Sequence, residues 1–154
     1  MRTLLPVVAL LTALFAVDAS AQGSSPDPLS DDRVHKFLML ALDNIGQARC
    51  ENNAPCAAAT AEEKANPPIT IEEARLVVRR AVLSGIAGSC NLDWQKRNFL
   101  PMMAYWRSTK KKTERQMALI TLVHGIMQGM MESSTKACPA EMREKIDAQL
   151  TFKP

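Results

Sequence analysis

Histidine and glycine are scarce in this chain, with 2 and 6 copies among 154 residues, and each shortage removes a class of function. Nucleophilic catalysis needs a serine or free cysteine in contact with a histidine and an orienting group, and two histidines leave little material for it. No phosphate loop, dinucleotide fingerprint or zinc-ligand spacing is present. CxxC and CxxCH are both missing, so a thioredoxin-like redox site and an attached c-type haem lack sequence support. The paired carboxylates Glu62-Glu63 and Glu72-Glu73 stand at expected helix starts, where capping and the helix dipole account for them. No enzyme is expected. With no segment alternating at period two and glycine so sparse, strands are not expected either, and the fold class is all-α.

Charge-free runs of the roughly 18 to 20 residues needed to cross a bilayer are missing as well. Met1, Arg2 and Thr3 precede an apolar run from Leu4 to Val17, followed by small residues at Ala19 and Ala21. This is the pattern of a signal peptide cleaved after Ala21, and a run of about 14 residues is too short to span a bilayer. No cysteine at the cleavage point and no second arginine beside Arg2 argue against a lipid anchor and twin-arginine export. The expected organisation is a leader over 1–21, a flexible segment over 22–29 and a single helical domain over 30–154. The expected location is periplasmic or secreted, with no transmembrane segment in the mature chain. Loss of Arg2 and Asp18 with the leader leaves the net charge at +3. That is too mild for a nucleic-acid binder, and nucleic acid is not an expected partner.

The helices announce themselves by their caps. Ser30 with Asp31 and Asp32 opens a first helix over 30–49, carrying Val34, Leu38, Ala41, Leu42 and Ile45 on one face. The segment 51–68 is a connection, with one turn of helix after Thr60. Thr70 and Glu73 form a capping box for a second helix to about residue 88, and Thr113 and Gln116 one for a fourth to about residue 132. Between them, Pro101 is expected to kink or split the third segment and to push Leu100 into extended backbone. A fifth helix starts at Pro139, with Met142, Ile146 and Leu150 inward. A four- to five-helix bundle follows.

Cys50, Cys56, Cys90 and Cys138 all lie in the expected mature chain, and an exported protein meets oxidising conditions. Short connections make the second and fourth helices run in the same direction. Cys90 and Cys138 then meet at one end, and Cys50 pairs locally with Cys56.

LVHGIMQGMMES, residues 122–133, holds the second histidine. At about 100 degrees per residue, His124, Met127 and Met131 fall along the border of the apolar sector. A row of imidazole and thioether suits a soft ion such as copper, although filling of the core by methionine accounts for the same residues. Gly125 and Gly129 lie on one side of this helix, and the second helix has its own small run around Gly85 and Gly88. Close approach of the two helices through these notches is expected. His35 reads as a surface residue.

Aromatic residues are few, yet Trp94, Phe99, Tyr105 and Trp106 crowd the proline-broken segment, beside Arg107 and the lysines at 110–112. Trp94, Trp106 and Arg107 are the candidate docking residues, since Trp and Arg dominate interface energetics. Arg75, Arg79 and Arg80 read as a solvated cationic helix face. The expectation is an exported, non-enzymatic binding or interaction protein that engages another macromolecule in the cell envelope and needs no cofactor. By class alone it stands beside chaperones, pilotins and immunity proteins. Its alternative is a copper or small-ligand carrier using the His124 and methionine edge.

Overall fold

The computed structural model describes residues 29–154, so the leader and nearly all of the expected flexible segment lie outside the described residues. Six α-helices follow in order: α1 Asp31–Asp43, α2 Ala61–Ala65, α3 Ile71–Ser89, α4 Leu100–Ala104, α5 Glu114–Ser134 and α6 Ala140–Leu150. Two π-helical turns, Gln95–Phe99 and Tyr105–Thr109, flank α4. No strand occurs among the described residues, and the expected all-α bundle with two disulfides is what forms.

Thr60, Thr70 and Thr113 each cap a helix through a reciprocal box with Glu63, Glu73 and Gln116. Each box satisfies two amides that a helix start leaves without partners. Ser30 stands at the N-cap of α1 but makes no side-chain cap bond. α1 stops at Asp43, earlier than the expected residue 49, where the Asn44 side chain donates to the Leu40 carbonyl at 2.8 Å. A short 3-10 turn, Ile45–Gln47, carries Ile45 into the core beyond that stop.

Pro101 neither splits its segment nor extends its neighbour. Leu100 is helical, at φ −60° and ψ −44°, which corrects the expected extended conformation. The π turn before it supplies the reason. Widening the helix there relieves the clash a proline ring would otherwise make with the preceding turn. The carbonyl of Arg97, the regular helical acceptor for residue 101, instead receives the amide of Phe152 at 2.8 Å.

α3 and α5 form the centre of the bundle and α1 packs across both, with α6 lying on α3. Val34, Leu38 and Leu42 of α1 meet Val77, Val78 and Ala81 of α3 and Leu119, Ile120 and Val123 of α5. Met102 and Trp106 join this core. A smaller cluster of Ala87, Ile146 and Leu150 attaches α6. Met142 does not share that inner side as expected; it is 38% exposed.

Both expected disulfides are present, Cys50–Cys56 and Cys90–Cys138, with Cα separations of 5.0 and 5.3 Å. α3 and α5 run in the same direction, as the pairing of Ser84 with His124 and of Gly88 with Glu132 requires. Their close approach is one-sided. A methyl group on Gly85 would lie 2.5 Å from the Gln128 carbonyl oxygen and 2.5 Å from the Met131 Cβ. Gly125 and Gly129 have nothing within 4 Å of such a methyl, so they are not the notches expected of them. The helix contact uses the glycines of α3 only.

Candidate functional site

The most organised polar feature is buried where α3, the first π turn, α5 and the end of α6 converge. Arg80 and Ser84 lie one turn apart on α3, and Asn98 reaches in from the π turn between them. The Asn98 amide nitrogen donates to the Arg80 carbonyl at 2.7 Å and to Ser84 Oγ at 2.8 Å. Its Oδ1 accepts from Arg80 Nε. Ser84 Oγ, an acceptor from Asn98, also shares a hydrogen bond with His124 Nε2, 3.1 Å away.

Arg80 is 8% exposed and has no carboxylate partner among the described residues. Its two terminal nitrogens donate to the carbonyls of Gln149, at 3.2 Å, and Leu150. These are last-turn carbonyls of α6, where the helix dipole is negative and favours a cation. The guanidinium also sits 5.5 Å from the centre of the Phe152 ring. Burial lowers its pKa from the ordinary arginine value.

His124 is not on an edge, as expected, but 2% exposed. Trp94 stacks on it at 6.0 Å, and Phe99 lies 4.8 Å away. Burial, and secondarily the charge of Arg80, pushes its pKa down to about 4. The imidazole is therefore neutral at ordinary pH.

Ser84 Oγ and His124 Nε2 are within the reach of a nucleophile and its base. Their surroundings fit structure instead. Both side chains are enclosed, and no hydrogen bond or ion pair joins His124 to a carboxylate among the described residues. A buried polar chain in which each member has a partner fixes the register of the helices it crosses.

The residues singled out from sequence are dispersed. Met127 is buried in the main core and Met131 packs its Cβ against Gly85, so His124, Met127 and Met131 present no open row to an ion. No group of three or more His, Cys, Asp or Glu side chains placed to hold a metal occurs among the described residues. Trp106, at 2% exposure, belongs to the core, which removes it from any docking surface. Trp94 is half-buried by its stacking, while Arg107 is exposed and 3.4 Å from Glu114. His35 is exposed as expected. Arg80 is buried and not part of the solvated cationic face expected of it, and Ser84 and Asn98 were not expected at a polar site. The one available signal was the departure of Arg80 from the polar side of α3, since it falls one turn before the small residue Ser84.

Two of the three depressions that flank α6 have chiefly apolar walls. One, of about 510 Å³, has Ile86, Met142 and Ile146 in its walls, with Glu141 and Lys145 beside them. The other, of about 410 Å³, lies between α3 and the last turn of α6.

The sequence matches no family model, and neither a curated protein nor a solved structure is significantly similar to it.

Proposed function

We propose that this chain is an exported, non-enzymatic interaction protein that engages another macromolecule through the outer face of α6. One observation carries the reading. Met142 stands exposed over a depression walled by Ile86 and Ile146, and the Glu141 and Lys145 pair, 2.6 Å apart, borders it. An apolar centre with a charged rim is the anatomy of a protein interface, and methionine adapts its shape to a partner. Two formed disulfides suit an oxidising compartment. No helix among the described residues is long and apolar enough to cross a membrane.

Copper binding at His124 would require the imidazole to leave Ser84 and the aromatic stack, and no feature of the geometry favours that. Small-ligand carriage has a separate observation in its favour, the cavity taken up below.

A photo-crosslinking side chain placed at position 142 in the producing cell tests the proposal. One discrete adduct is expected there and none from position 121, which is exposed on α5. Absence of an adduct at 142, or an equal yield at both positions, would contradict a partner face on α6.

A further inference from the structure

We infer that the depression between α3 and the last turn of α6 is a binding site for an organic carboxylate bearing an apolar chain. Its volume of about 410 Å³ falls in the range of small-molecule sites, roughly 300 to 1,000 Å³. Leu29, Val82 and Leu83 supply apolar wall, while Arg79, Arg80 and Lys153 supply positive charge. No acidic residue lines it among the described residues.

The charges there are unbalanced, with three cations and no acid in one wall. Four of the five half-buried cations elsewhere have an acid, Arg75 with Asp31, Arg97 with Asp147, Lys112 with Glu73 and Arg115 with Glu63, and only Arg33 has none among the described residues. Arg79, Arg80 and Lys153 form no ion pair among the described residues. All three converge on one cavity.

Arg80 is the most telling. Its bonds go to three neutral oxygens, those of Asn98, Gln149 and Leu150, and occupy three of the five N–H donors of a guanidinium. A buried cation held only by dipoles, with donors to spare, is suited to a planar carboxylate. Arg79 and Lys153 are exposed at the rim, where they would steer and then close over the anion, and the apolar wall would take its chain. The ligand is therefore an amphiphile of the fatty-acid kind. A simple inorganic anion would leave the apolar wall unused, and an alcohol would leave the cations unused. The site shares Gln149 alone with the depression beside Met142, and either proposal can fail without the other.

Calorimetric titration of the full disulfide-bonded chain with decanoate, decanol and decyltrimethylammonium, each below its micelle concentration, tests this. Decanoate is expected to bind at one site, about tenfold or more tighter than decanol, with no binding of the cationic amphiphile. The double variant Arg79→Ala, Lys153→Ala changes only exposed side chains. It should bring decanoate down to the level of decanol while the melting temperature stays the same. Equal affinity for decanoate and decanol, binding of acetate as tight as that of decanoate, or indifference to the double variant would each overturn the inference. So would a gain of about tenfold on Asp27→Asn, because the cations would then be serving a carboxylate of the chain itself.

Discussion

Phe152 donates its amide to the carbonyl of Arg97 at 2.8 Å, and that carbonyl is the helical acceptor which Pro101, lacking an N–H, cannot use. A gap in one helix is thus filled from the carboxyl-terminal tail. The Phe152 ring adds contacts of its own, 5.6 Å from Tyr105 and 5.5 Å from Arg80. Truncation after Thr151 should therefore cost more stability than Phe152→Ala, which keeps the amide. The difference expected in urea denaturation is about 1 kcal/mol, the value of a main-chain hydrogen bond. Equal losses would mean that the ring alone fastens the tail.

His124 makes the fold sensitive to acid. Its folded pKa, about 4, lies below the value of about 6.5 for an unfolded histidine, so the unfolded chain takes up a proton first. The stability contributed by the neutral imidazole is complete above about pH 6.5 and falls as the pH drops toward 4, by about 3 kcal/mol in all. His124→Gln retains a hydrogen-bonding group for Ser84 and does not titrate. In denaturant titrations across that window, its stability should decline less steeply than that of the natural chain. Parallel curves would place the acid sensitivity elsewhere.

The glycines should divide by helix. Gly85→Ala forces a methyl against main-chain atoms of α5 and is expected to destabilise by about 1 to 3 kcal/mol. Gly125→Ala and Gly129→Ala meet open space and should each stabilise by about 0.5 to 1 kcal/mol, through helix propensity. Thermal melts of the three variants decide this, and a loss at Gly125 or Gly129 would point to a contact on that side of α5.

The two disulfides differ in the loops they close, with sequence separations of 6 and 48. Loop-closure entropy assigns about 2 kcal/mol to Cys50–Cys56 and about 4 kcal/mol to Cys90–Cys138. Paired serine variants should follow that order in urea denaturation. The longer bridge joins the end of α3 to the approach to α6, so its loss should also speed amide exchange in α6 before the rest of the bundle. Uniform exchange would show that α6 is held by its packing, by the bonds it receives from Arg80 and Arg97, and by the one its own Arg143 donates to the Cys90 carbonyl.

What could be read in advance was whatever the chain encodes locally. The boxes at Thr70 and Thr113 and the apolar period of α1 depend on residues three or four positions apart, and both disulfides followed from helix order. His124 and Arg80 were misplaced because their burial depends on elements far along the chain. Asn98 enters from a π turn made necessary by Pro101, and the carbonyls that hold Arg80 come from residues 149 and 150. No period within α3 or α5 carries that information. Gly125 and Gly129 misled for a related reason: spacing places two glycines on one side of a helix without saying which side meets a neighbour.

The buried cation at the α3 and α6 junction is tested most directly by nuclear magnetic resonance of the isotopically labelled, disulfide-bonded chain titrated with decanoate. Saturable shifts are expected for amides over 79–83 and 148–153 and for the Arg80 side chain, while Gly125, Gly129 and Met130 stay still. Shifts centred on Met142 and Ile146, or spread over the whole surface without saturation, would contradict a carboxylate site built around Arg80.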